Sequence, residues 1–276
     1  MAKMNVLHGI QRARRLTRHA LSTVYQPTIG AINRSLRDKM EPRFTDLVAE
    51  YDVVIMKHCF PSSDILEDTG KADPASTRQS LENYKAIYRL LRNKFDEHPN
   101  TLFIIWTLPP RHRLFEPSEG SKDANAARAT EFSNWLRGDF PKEGGIHPNI
   151  YIWDFRSLIK DPNTNFLKYE YESDHNSADS HPNKLANNAT GPGLAQFIVD
   201  ATTSFYGGSR AGQKVKTVFL HHSTGLNVYR YPAQGIPAWF KKYNATGKIV
   251  LSISPEWYPQ AGNMPVHYYR SWLEGR

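Results

Sequence analysis

The sequence predicts an α/β protein, a three-layer α/β/α sandwich built on a five-stranded parallel sheet. Two observations carry this. Short continuous apolar runs recur along the chain, as strands buried on both faces require. Stretches with apolar residues at helical spacing separate them. Such alternation marks βαβ units, whose crossover helices cover both faces of a parallel sheet. A length of 276 residues accommodates this as one large domain with a sizeable core.

Residues 3–49 are polar, basic and broken at Pro27 and Pro42, and read as helical segments. The first strand is expected over 51–57, followed by the loop 58–64. Residues 76–97 place Leu81, Tyr84, Ile87, Tyr88, Leu91 and Phe95 on one helical face. A second strand spans 101–107 and stops at Pro109 and Pro110; a helix at 123–139 and a third strand at 150–154 follow. Residues 184–205 read as a closing helix, which Thr190, Gly191, Pro192 and Gly193 are expected to divide or delay. Beyond the Gly/Ser stretch at 207–213 come a strand at 215–220, a helix at about 235–243 and a strand at 248–253.

Hydrophobic residues at 39% and aromatics at 12% exclude a disordered chain. No apolar run approaches the roughly 18 residues that a membrane span needs. The basic N-terminus lacks an apolar h-region and a cleavage site, so no signal peptide is read and the chain as written is expected to be cytoplasmic. Cys59 is the only cysteine, which excludes an internal disulfide and a cysteine-based metal cluster. The net charge is +8, with much of the excess at Arg12, Arg14, Arg15, Arg18, Arg34, Arg37, Lys39 and Arg43. Zinc-finger spacing, an RNP-like motif and a Gly-rich phosphate loop are all missing, so this charge reads as a solvated helix face, with no nucleic-acid partner.

Two segments carry chemistry. His221, His222, Ser223, Thr224 and Gly225 follow directly on a buried strand, which delivers a small hydroxyl residue to the carboxyl edge of the sheet, where ligands bind. Asp179, Ser180, His181, Pro182 and Asn183 precede a helix, with a carboxylate two residues from an imidazole. A serine nucleophile needs a base, and the base needs an orienting partner on its other ring nitrogen.

Together these segments resemble the SGNH (GDSL-like) hydrolase superfamily. Val218 to Ser223 looks like that family's serine block, and Asp179 to Pro182 like its Asp/His block. The run 51–64 is similar to the third strand and its oxyanion loop, and Pro259, Gln260, Ala261, Gly262 and Asn263 to the glycine block after the second strand. The resemblance implies a flavodoxin-like fold and an esterase with Ser223 as nucleophile, His181 as base and Asp179 as third member. It also implies oxyanion or substrate contacts from Gly262, Asn263, Cys59, Ser63 and His222. The family order is rotated: the chain runs from after the second strand to the final helix and only then gives the serine strand. This is a circular permutation with its joint at 207–213.

The Asp/His spacing is D-x-H rather than D-x-x-H, which leaves Asp174 as an alternative to Asp179. The family's G-x-N-D after the third strand is replaced by Ser62, Ser63 and Asp64 behind Pro61, and His221-His222 stands where Gly-Asp is usual. An acyl, expected to be acetyl, ester of a small molecule or glycan is the anticipated substrate, without cofactor or metal. Two rivals remain. His58, His181, His221 and His222 with Asp179 form a candidate zinc-type site if they converge. Alternatively, Trp106, Trp153, Trp239, Trp257, Tyr258, Tyr268 and Tyr269 stack on sugars in a non-catalytic carbohydrate-binding or assembly protein.

Overall fold

The computed structural model describes residues 42–232 and 235–275. Strands β1 (Val53–Met56), β2 (Leu102–Trp106), β3 (Ile150–Trp153), β4 (Lys214–His221) and β5 (Val250–Trp257) form one sheet. Its order is β3-β2-β1-β4-β5 and every pairing is parallel. Helices flank it: α1 (Phe44–Glu50), α2 (Leu81–Asp96), α3 (Lys122–Gly138), α4 (Phe155–Ile159), α5 (Lys184–Tyr206), α6 (Thr224–Arg230), α7 (Gly235–Asn244) and α8 (Pro265–Tyr269).

Strand periodicity divides the core in two. Val54, Met56, Phe103, Ile105, Val218 and Leu220 point towards α2 and α3 and pack with Tyr84, Ile87, Tyr88, Phe95 and Phe132. Their neighbours Val53, Ile55, Leu102, Ile104, Trp106 and Phe219 point the other way, towards Leu194, Ile198 and Phe240 of α5 and α7. From β1 the chain winds outward to β3, then α5 crosses the opposite face to deliver β4 on the other side of β1. A reversal of winding direction with right-handed crossovers moves the helices to the other face. The crevice at the carboxyl ends of β1 and β4 is therefore a topological switch point, where ligands bind in open α/β sheets.

Local chemistry explains most boundaries. The Ser80 hydroxyl accepts from the Asn83 amide, the Ser121 hydroxyl from Ala124, and Asn183 Oδ1 from Ala186, so each helix starts on a side-chain cap. Two expectations need correction. The stretch at 190–193 does not interrupt α5: the helix runs unbroken through Pro192. Gly191 and Gly193 instead permit close packing, for a Cβ on Gly191 would lie 2.1 Å from the Tyr231 carbonyl oxygen. Pro182 stands before the helix, since Asn183 is the cap. Strand β5 begins at Val250 rather than 248 and runs on past 253 to Trp257 because Pro255 does not stop it; as an edge strand it pairs only with β4 and tolerates the missing N–H.

The Gly/Ser stretch is a tight turn, with 3-10 residues Gly207–Arg210, the Gly212 amide bonded to Lys248 O at 2.8 Å, and Arg210 3.0 Å from Asp52. Of the basic stretch only Arg43 is described, paired with Asp46 at 3.3 Å; the other named arginines and Lys39, and helical segments before residue 42, lie outside the described residues. Among the described residues no helix is long and apolar enough to cross a membrane.

Candidate active site

Strand β4 ends at His221, and Ser223 occupies the cap position of α6. The close approach of α6 to the strand end requires Gly225: a Cβ there would lie 2.7 Å from His221 Cβ and 2.8 Å from Lys57 Cδ. Opposite, the loop before α5 carries His181, whose Nε2 lies 3.0 Å from Ser223 Oγ. His181 Nδ1 lies 2.6 Å from Asp179 Oδ1, which also accepts the His181 amide at 3.0 Å. A carboxylate only accepts, so Nδ1 carries the proton and Nε2 is left to accept from the serine hydroxyl. Ser173 Oγ donates to Asp179 Oδ2 at 3.3 Å. Partial burial raises the Asp179 carboxyl, but the His181 amide and ring bonds outweigh it and hold it below its ordinary value. Asp174 instead accepts the Asn176 amide in its own turn. The spacing D-x-H thus reaches because both residues lie in one loop, folded back so that the amide and ring of His181 share a carboxylate oxygen.

The loop is anchored from below. Glu172, with a fully buried side chain, lies 3.1 Å from His112 Nε2, 3.1 Å from Arg113 Nε and 2.8 Å from His175 Nδ1. Ser180 Oγ accepts the His112 amide at 3.0 Å. Residues 172–182 are closed at their base by the Glu172–Pro182 bridge.

From β1, Cys59 brings its Sγ 3.0 Å from Ser223 Oγ and 3.7 Å from Thr224 Oγ1. Burial raises the thiol, but the Lys57 ammonium and bonds from Ser223 and Thr224 together hold it below its ordinary value. Lys57 is buried, with Nζ donating to His222 O at 3.1 Å, and desolvation lowers it to about 8. Phe60 sets its ring edge-on to His181, centroids 4.6 Å apart.

The remaining expected residues scatter around this centre. The Ser63 hydroxyl is committed to Pro109 O and is buried, so it is not free as a side-chain donor. His222 stacks on Trp257 at 4.1 Å and its Nε2 lies 2.6 Å from Pro259 O, with burial pushing it down to about 4. Gly262 packs against the His267 ring with φ +155°, and Asn263 is buried, its Nδ2 donating to Tyr258 O. His58, lowered to about 3 by burial, holds Asn263 O at 3.1 Å. The histidines therefore brace separate loops, and among the described residues no three His, Cys, Asp or Glu side chains are grouped to hold a metal ion. Of the aromatic set, Trp106, Tyr258 and Tyr268 are core, whereas Trp257 is half exposed beside His222.

Lys57, Phe60, Ser173 and the Glu172 cluster were not singled out by the sequence. Lys57 alone left a trace, as the cation closing an otherwise apolar strand run. The site is a Ser–His–Asp relay with a cysteine on the serine, set at the switch point of a parallel sheet. Comparison of the chain with family models, with curated proteins and with solved structures returned no match.

Proposed function

We propose that the chain is a serine esterase of the SGNH kind, in circularly permuted order, acting on acyl esters, with acetyl the anticipated group and a glycan the anticipated acceptor. The observation that carries it is the unbroken relay from Asp179 through His181 to Ser223, with bonds of 2.6 and 3.0 Å. Counted from the strand that bears Ser223, the sheet order reads 2-1-3-4-5, the flavodoxin-like order, which supports the rotated reading.

The mechanism is a two-step acyl transfer. Ser223 Oγ attacks the ester carbonyl as His181 Nε2 takes its proton, and Asp179 stabilises the imidazolium. The imidazolium then protonates the departing alcohol. Water, deprotonated by the same nitrogen, releases the acid and restores Ser223. The candidate oxyanion donors are the backbone N–H groups at the start of α6, together with the glycine block at Gly262 and Asn263.

The test is release of 4-nitrophenol from 4-nitrophenyl acetate by the wild type, Ser223→Ala and His181→Ala. Each variant should lose about 10³-fold or more in kcat. A serine-directed phosphonate should label Ser223. Equal hydrolysis by all three proteins rejects the reading.

A further inference from the structure

We propose that Arg111 forms an anion-binding subsite beside Ser223 and His181, and that the ester substrate carries a carboxylate. This rests on the esterase reading and names the substrate class for it. Arg111 follows Pro109 and Pro110 at the carboxyl end of β2, on the same sheet edge as Ser223. It is 7% exposed, yet its guanidinium has no hydrogen-bond or ion-pair partner among the described residues, and its buried Nε is unsatisfied.

What surrounds it uses the wrong part of the group. Its Cζ lies 3.2 Å from the Phe115 ring centroid and 5.2 Å from that of Phe60. Aromatic contacts of this kind engage the face of a guanidinium and leave its in-plane N–H donors unspent. Asp64 and Cys59 act on Arg111 through charge alone: neither forms an ion pair with it, and Asp64 accepts from Asn125 Nδ2 at 2.8 Å. Neighbouring Arg113 is already paired with Glu172. Burial lowers Arg111 only to about 10, so it remains cationic at neutral pH.

A buried cation with no counter-ion in contact is costly to keep, unless a ligand supplies the missing partner. The fork of N–H donors fits a two-oxygen anion. A lone arginine matches the single charge of a carboxylate better than the double charge of a phosphate. The Phe60 ring lies close to both residues, its centroid 5.2 Å from Arg111 Cζ and 4.6 Å from that of His181. An acid group held at Arg111 would therefore sit one ring away from the ester at Ser223, as on an O-acetylated uronic acid.

The experiment measures acetate release by the full chain from acetylated glucuronate, acetylated glucose and acetylated glucose 6-phosphate. The wild type should favour the glucuronate over the glucose ester in kcat/KM by roughly tenfold or more. Arg111→Gln should erase that ratio and Arg111→Lys should retain part of it. Because the ratio is internal, a variant that folds poorly lowers both rates and leaves it in place. Binding of free glucuronate to Ser223→Ala, with and without Arg111→Gln, is read by calorimetry. Equal turnover of all three esters by wild type and Arg111→Gln overturns the subsite but leaves the esterase standing. No turnover of any ester, with glucuronate binding that Arg111→Gln abolishes, has the opposite meaning. A preference for the phosphate ester overturns the carboxylate.

Discussion

The thiol of Cys59 lies 3.0 Å from the hydroxyl of Ser223, a hydroxyl that His181 also reaches at 3.0 Å. While Cys59 is protonated, its S–H is able to donate to Ser223 Oγ, which leaves the serine proton for His181. A thiolate only accepts, so once ionised Cys59 competes with His181 for that proton.

Activity on 4-nitrophenyl acetate should therefore fall as pH rises through the ionisation of Cys59. That ionisation lies below the usual thiol value, since Lys57, Ser223 and Thr224 outweigh burial. The kcat/KM profile of Cys59→Ala should lack this alkaline limb; coincident profiles would show that the thiol does not govern the serine.

Asp179→Asn should lower kcat by about 10²- to 10⁴-fold, because an amide no longer enforces the Nδ1–H tautomer. Asp174→Asn should keep wild-type rates, since Asp174 only ties its own turn. Steady-state kinetics of the pair decides between the two carboxylates.

Lys57 makes stability depend on pH. Its folded value of about 8 lies below the ordinary 10.5, so between these limits the unfolded chain holds more protons. Folding stability should thus rise with pH across this window, whereas the desolvation cost is fully present below it. Relative to Lys57→Met, the wild type should gain about 3 kcal/mol on passing from pH 7 to beyond 10. Denaturant titrations of both proteins measure the difference, and parallel curves would refute it.

Glu172→Ala should cost about 1–3 kcal/mol, because it removes the buried carboxylate beside which Arg113, His112 and His175 are held. The same change should lower kcat by loosening the loop that presents His181. A thermal scan beside a rate measurement tests both; a drop in stability with unchanged kcat would mean that the loop is held elsewhere.

Gly225→Ala should destabilise by about 1–3 kcal/mol, since the added methyl meets His221 and the Lys57 stem. The melting temperature reports it, and an unchanged value would mean that α6 shifts freely.

The five strands were legible because burial on both faces writes a continuous apolar run, as at Val53, Val54, Ile55 and Met56. Ser223 was legible for a related reason: a strand running into a hydroxyl and a glycine leaves few geometries, and Gly225 meets its contact limit. Misreadings fell where distant partners override local rules. Pro255 stays in a strand because β5 is an edge, and α5 runs on through Pro192, flanked by glycines packed close to Tyr231 and Trp153. The isolation of Arg111 and the burial of Lys57 depend on residues far along the chain, so no local pattern announces them.

The turn around Gly207–Arg210 lies at the edge of the sheet opposite Ser223, between Asp179 and His181 on one side and the serine on the other. Cleaving the backbone there would yield two pieces, neither holding the whole relay. Each would keep strands whose open edges match only the other's, along the β1–β4 ladder from Val53↔Thr217 to Met56↔Leu220. Fused to two interacting proteins, the halves would turn the proposed ester hydrolysis into a signal of their encounter.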